Sequence, residues 1–381
     1  MRIAQVAPLY ESVPPKFYGG TERVVSYLTE ELVRQGHEVT LFASGDSVTR
    51  AELVPACPRA LRLDETCVDR LAPHFVMLEK VFRQAHRFDV IHFHIDYLHY
   101  PLSRRQPVPN VTTLHGRLDL PELPALYDEY RDAAVVSISD AQRRPLPRAN
   151  WQATVHHGLP DAYRCRERPG DYLAFLGRIS PEKRVDRAVE IARRVGMKLK
   201  VAAKVDEVDR DYFRATIEPL FRDPLVEYVG EIGDRDKDEF LGNAHALLFP
   251  IDWPEPFGLV MIEAMACGTP VVAYRHGSVP EVIDDGETGF VVETVEDATL
   301  AVAKAGFLDR RRVREVFDER FSAERMASDY LAVYRHLITA RSGVARVRAP
   351  SANGKARVRE VSPGTAAVPA VLAPRVGSLP R

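Results

Sequence analysis

The sequence predicts an α/β protein of two Rossmann-like, parallel-sheet domains, set in series and facing each other across a cleft. Three observations carry this. The chain has 381 residues, more than one hydrophobic core of ordinary size accommodates. Short apolar runs alternate with segments of helical period, the pattern of βαβ units around a buried sheet. The alternation then restarts after "ATVHHGLP", so it is run through twice.

In chain order, "RIAQVAP" reads as the first strand and "LYESVPPKFYGG" as the loop that follows it. "TERVVSYLTEELVRQG" places Val24, Val25, Leu28, Leu32 and Val33 on one helical face, with Gly36 as its C-cap. "HEVTLFAS", "FDVIHFH", "VPNVTTLHG" and "AAVVSIS" are the further strands of the first half. A hinge falls near residues 158–170. Beyond it "YLAFLG", "KLKVAAK", "VEYVG", "AHALLFP" and "PVVAY" read as strands, separated by helices such as "PEKRVDRAVEIARRV". The resulting domains are 1–158 and 159–321, with the last helix, 322–341, packing back on the first. Residues 342–381 are rich in Pro, Ala, Gly and Ser with scattered arginines, a composition that cannot bury a core and predicts a disordered basic tail.

Charge and cysteine usage narrow the class. The 52 basic and 54 acidic residues leave a net charge of −2, so no nucleic-acid partner is expected and nothing draws the whole chain to a membrane. Cys57, Cys67, Cys165 and Cys267 form no CxxC pair, which argues against a zinc ribbon or a disulfide framework and fits reduced thiols. The N-terminus is too soon interrupted for a signal peptide, and no apolar run is long enough to span a bilayer. The expectation is a cytoplasmic protein. One basic stretch, "DAQRRPLPRANW", sets Arg143, Arg144 and Arg148 near Trp151, which fits either a solvated face or peripheral contact with an anionic inner-membrane surface.

Ligands of open parallel sheets sit beyond the carboxyl ends of the strands, and four clusters occupy such loops. In "EPFGLVMIEAMACG", Glu255 and Glu263 flank a helix start at which Phe257, Gly258 and Leu259 offer free amides to an anion. Carboxylates so placed hold vicinal hydroxyls of sugars and riboses; the alternative is a helix-terminus charge and a solvated residue. In "LGRISPEKR", Arg178 and Lys183 share a strand-to-helix loop and suit a diphosphate. A plain basic helix start is the other reading, although cations there oppose the helix dipole. In "FYGGTE", Gly19 and Gly20 permit close backbone approach to a phosphate or sugar, or simply form a turn. Finally "VIHFHIDYLHY" and "TLHG" bring His92 and His94 to one strand face and His115 to the end of another strand. A metal site from His92, His94 and Asp96 is conceivable, but only two of these ligands share a face and no cysteine joins them, so a polar cluster at strand ends facing the cleft is favoured; the alternative for His92 is a buried, hydrogen-bonded structural histidine.

Taken together, these stretches resemble glycosyltransferase family 4, the retaining GT-B nucleotide-sugar transferases. "EPFGLVMIEAMACGTPVVA" is similar to the family's E-x7-E region, and "GGTERVV", "DVIHFH", "TLHG", "VSIS", "LGRISPEKR", "EYVGEI" and "GSVPEVIDDGETGFVV" occur in family order over nearly all of residues 1–340. The resemblance implies that Glu255 bonds donor-hexose hydroxyls, Glu263 the ribose, and the amides around Phe257, Gly258 and Leu259 the phosphate and sugar oxygens. It implies that Arg178 and Lys183 neutralise the departing diphosphate and that Gly19 and Gly20 approach the β-phosphate. His115 would contact the donor sugar near its reacting carbon, and Val229 and Gly230 would frame the base. In "VHHGLP", His157 stands where the family more often has Asn.

The activity so implied is metal-independent transfer of a hexose from a UDP- or GDP-sugar, with retention, to a hydroxyl of a sugar, a lipid-linked glycan or a small molecule. No cofactor beyond the nucleotide-sugar co-substrate is expected. A sugar-nucleotide 2-epimerase of the same fold is the alternative. A nicotinamide-linked oxidoreductase is disfavoured because no GxGxxG follows the first strand, and a non-catalytic binding protein tethered by its basic tail completes the field.

Overall fold

The computed structural model describes residues 1–16 and 18–341, and the backbone alone as far as Arg348. Among the described residues two parallel sheets are present. The first contains β1 (Arg2–Val6), β2 (Glu38–Ser44), β3 (Glu52–Cys57), β4 (Val90–Phe93), β5 (Asn110–Thr113), β6 (Ala134–Ser137) and β7 (Asn150–Thr154), in the order β3-β2-β1-β4-β5-β6-β7. The second contains β8 (Tyr172–Arg178), β9 (Lys198–Lys204), β10 (Val226–Gly230), β11 (Ala246–Phe249), β12 (Val271–Tyr274) and β13 (Gly289–Val292), in the order β10-β9-β8-β11-β12-β13. In both sheets the winding reverses after the first strand, between β1 and β4 and between β8 and β11. Loops leaving those strand pairs diverge and open a crevice.

The central strands coincide with the apolar runs because they are covered on both faces. The edge strands β3, β7 and β13 are not apparent from the sequence. β3 contains Pro55, tolerated at an edge, and β3 and β7 are only part-buried, so their side chains carry no continuous apolar run. The helix Gly20–Arg34 buries Val24, Val25, Leu28 and Leu32. It ends as predicted at Gly36, whose φ of 83° lets its amide and that of His37 reach the carbonyls of Val33 and Leu32. The segment "PEKRVDRAVEIARRV" is not one helix. A 3-10 turn, Pro181–Lys183, is separated from the helix Val185–Val195 by Arg184 in the left-handed region.

The chain crosses between the sheets twice, and the crossings are fastened to each other. Leu159 exchanges backbone hydrogen bonds with Phe321 and Ala323, both 2.8 Å long. There is no room between them: a β-carbon on Gly158 would stand 2.2 Å from the Ser322 carbonyl oxygen. The helix Ala323–Arg348 then buries Met326, Ala327, Tyr330, Leu331 and Tyr334 against Ile3, Leu28, Val90 and Val136 of the first domain's core. The larger of these side chains contribute about 1.5–3 kcal/mol each by leaving water. This helix continues to Arg348, past the start of the expected tail; the rest of 342–381 lies outside the described residues. No helix among the described residues is long and apolar enough to cross a membrane, and the four cysteines are unbridged.

Candidate active site

A cleft of about 770 Å³ opens where the carboxyl ends of the two sheets face each other. Ten of the sequence-predicted residues line it: Gly19, Gly20, His115, Arg178, Lys183, Glu255, Phe257, Gly258, Leu259 and Glu263. Val229 and Gly230 do not. The β10 ladder slips after Tyr228 and Gly230 takes a φ of 79°, so the chain turns and the next residues, Glu231 and Ile232, reach the cleft instead.

The floor is the start of the helix Leu259–Ala266. Gly258 caps it at φ 79°, where a side chain is strained, and a β-carbon would also press to 2.9 Å from Met261 Cε. First-turn amides of a helix have no intrahelical acceptor, so an anion is welcome there. Glu263 lies further along the same helix, 2% exposed, and its Oε1 takes hydrogen bonds from Lys237 Nζ (2.7 Å) and Tyr163 (3.4 Å). It is thus a buried, oriented carboxylate and not a solvated one.

Glu255 is held harder. Lys183 Nζ and Trp253 Nε1 (3.1 Å) both donate to its Oε2. The Lys183 ammonium also stands 5.0 Å from the Trp253 ring centre and 5.5 Å from that of Phe249, close enough for cation–π attraction. Arg178 is ringed by acids: Glu182, with Asp206 and Asp209 each 3.6 Å away. Its Nε is buried without a hydrogen bond among the described residues. The two cations are therefore fixed by carboxylates on the cleft wall.

On the opposite wall Gly19 and Gly20 begin the helix Gly20–Arg34, and a β-carbon on Gly19 would stand 2.8 Å from Pro15 Cβ. Arg23 of this helix pairs with Asp234 across the cleft. His115 stacks on His157 (ring centres 5.4 Å, planes 18° apart), which meets Phe257 edge-on at 4.8 Å. Burial pushes the His115 imidazole down to about 3 and holds His157 well below its ordinary value, so both are neutral. His94 is not on the cleft wall; it lies behind His115, Nδ1 to Nε2 2.9 Å. His92 is also off the cleft wall, fully buried and bonded to Tyr334 and Thr113, so of the cleft-facing histidine cluster expected only His115 reaches the cleft and His92 is a structural histidine.

Several residues in the site were not legible. The stretch "GSVPE" clamps the Glu255 loop: Ser278 Oγ donates to the Phe257 carbonyl (2.8 Å), and Glu281 accepts from the amides of Asp140 and Ala141 in the first domain (2.7 Å each). Gly277, at φ 54°, packs so close that a β-carbon would stand 2.2 Å from the Glu255 carbonyl oxygen. Gly277→Ala is accordingly expected to displace Glu255, lowering kcat at least about tenfold and stability by about 1–3 kcal/mol. Steady-state rates and denaturant melts check this; wild-type values for both would show that the clamp is unnecessary. The basic stretch near Trp151 is engaged locally, with Arg143 over the Trp151 ring at 5.2 Å and Arg148 paired to Asp128 at 2.6 Å.

Comparisons with known proteins agree with this geometry. A sequence model described as "Glycosyl transferases group 1" matches residues 167–321, and one described as "Glycosyltransferase Family 4" matches residues 18–170. N-acetyl-alpha-D-glucosaminyl L-malate synthase of Bacillus anthracis is 27% identical, over 83% of this chain and 93% of that protein. D-inositol 3-phosphate glycosyltransferase of Saccharomonospora viridis is 32% identical, over 59% of this chain and 55% of its own length. Among solved structures, AviGT4, a glycosyltransferase involved in avilamycin A biosynthesis, superposes with a TM-score of 0.69 at 25% identity, over 89% of this chain and 98% of that one.

Proposed function

The chain belongs to glycosyltransferase family 4 and has its GT-B fold, and from that premise we propose that it transfers a hexose from a UDP- or GDP-sugar to a hydroxyl acceptor with retention of the α configuration. The observation that carries this is the helix start at Gly258, flanked by two oriented carboxylates and two fixed cations around one cleft. Glu255 and Glu263 are not an acid–base pair in this reading. Each is turned to hydroxyls, Glu255 to the hexose and Glu263 to the ribose, with the diphosphate over the amides between them.

The acceptor hydroxyl attacks the anomeric carbon from the face the diphosphate leaves. The bond from that carbon to the phosphate oxygen breaks, its electron pair departs with the diphosphate, and a phosphate oxygen takes the acceptor's proton. Charge grows on the leaving group, and Arg178 and Lys183 are the groups placed to stabilise it. Two fixed cations supply what a divalent ion supplies elsewhere, so metal independence is part of the proposal.

A thermal-shift titration of UDP, GDP and their hexose conjugates in EDTA tests the donor site. A ligand at about 100 times its Kd adds about 2.7 kcal/mol to the folded state, so one base is expected to raise the Tm by several degrees with no metal added. No shift with any nucleotide, or a shift only after Mg²⁺ or Mn²⁺ is restored, would contradict it.

A further inference from the structure

Behind His115 a chain of buried polar groups runs through the first domain to its C-terminal helix. His94 Nε2 lies 2.8 Å from Gln5 Oε1, Gln5 Nε2 lies 3.2 Å from the Tyr334 hydroxyl, and that hydroxyl lies 2.7 Å from His92 Nδ1. His92 Nε2 in turn lies 2.7 Å from Thr113 Oγ1. Gln5 and His92 are partners on the adjacent strands β1 and β4, where the sheet reverses its winding. Gln5, His92, His94, Thr113 and Tyr334 are all buried.

Burial keeps these imidazoles neutral, so each ring has one N–H and one lone pair. The direction of each hydrogen bond then dictates the next. The Gln5 carbonyl can only accept, so His94 carries its proton on Nε2. His94 Nδ1 is therefore bare, and His115 Nε2–H donates to it. That leaves the lone pair on His115 Nδ1, a buried atom with no hydrogen-bond partner in the described protein, on a ring that lines the cleft. On the other side the Gln5 amide N–H donates to Tyr334, whose O–H donates to His92 Nδ1, whose Nε2–H donates to Thr113. Rotating the one Gln5 amide by half a turn would reverse these donors and place a proton on His115 Nδ1.

We propose that Gln5, anchored by Tyr334 and acting through His94, is a positioning residue that locks His115 in its Nε2–H tautomer, so that Nδ1 faces the donor hexose as a hydrogen-bond acceptor for a hydroxyl. The role of the hexose rests on the transferase reading; the tautomer lock does not. Glutamine suits the task because it offers an acceptor to one neighbour and a donor to the other from a single planar group.

The test is long-range ¹H–¹⁵N spectroscopy of histidine-labelled protein, for wild type, Gln5→Leu and Tyr334→Phe, with kcat, donor KM and nucleoside-diphosphate Kd measured alongside. Wild-type His115 should show a protonated Nε2 and a bare Nδ1. Both variants should gain the Nδ1–H form and lose about tenfold in kcat, with the nucleoside-diphosphate Kd within about twofold of wild type. Tyr334→Phe removes a single hydroxyl, so it and the wild-type spectrum decide the matter even if Gln5→Leu fails to fold. A wild-type His115 protonated on Nδ1, or variants that melt earlier with tautomer and kcat unchanged, would overturn the proposal. A correct tautomer in a protein that turns over no nucleotide sugar would instead overturn the transferase reading and leave the lock standing.

Discussion

Lys183→Ala is expected to lower kcat by about 10²–10³ while donor affinity moves far less, because removing one preorganised donor to a developing negative charge costs about that much. The structure gives Lys183 little freedom: its side chain is 16% exposed, its ammonium touches Glu255, and aromatic rings border it. In the proposed reaction a cation so held needs no reorganisation as the diphosphate leaves, which is why the effect should fall on kcat. Lys183→Arg should recover little, since a planar fork does not fit a place shaped for a point charge. Steady-state kinetics with saturating donor measures this. An unchanged kcat with a raised donor KM would make Lys183 a ground-state binding residue and nothing more.

The second large effect is on stability. His92, His94, His99 and His157 are at most 4% exposed, and burial holds each well below its ordinary pKa. For a histidine depressed in the folded state, the unfolded chain binds the extra proton, so stability is intact above the unfolded value near 6.5 and is lost as pH falls below it. By pH 5.5 each costs about 1.4 kcal/mol, on the order of 5 kcal/mol for the four, a large part of a domain's whole stability. The Tm should therefore drop steeply between pH 6.5 and 5, with proton uptake on unfolding. A Tm flat over that range would mean that these histidines are solvated or already charged when folded.

The reach of sequence reading follows the range of the physics. Strands buried on both faces declare themselves as apolar runs, and a helix start such as that at Gly258 is legible because Pro, Gly and the following apolar turn are neighbours in the chain. The edge strands β3 and β7 escape because their side chains are only part-buried and carry no continuous apolar run, and Pro55 interrupts one of them. The same limit applies in the site. Local spacing brings Glu255, Glu263, Arg178 and Lys183 into view as candidates, but not the bonds that orient them. Lys183 reaches Glu255, Lys237 reaches Glu263, and Gln5 reaches Tyr334 across separations of 72, 26 and 329 residues. Lys237 sits in "DRDKDEF", which as a sequence is only a charged, solvated helix face. Gly277 and Glu281 were in view within a motif, yet nothing local shows that one abuts the Glu255 backbone and the other caps a loop of the first domain. That Glu231 and Ile232 line the cleft while Val229 and Gly230 do not reflects a bulge, which shifts the chain by a residue or two without changing the apolar pattern.

The central claim, retaining transfer from a nucleoside diphosphate hexose, is tested most directly by the anomer first released when water is the acceptor. Protein incubated in EDTA with UDP- and GDP-hexoses, followed by ¹H NMR before mutarotation, should liberate nucleoside diphosphate together with the α-hexose. Release of the β-hexose, or no nucleoside diphosphate from any donor, would contradict the account.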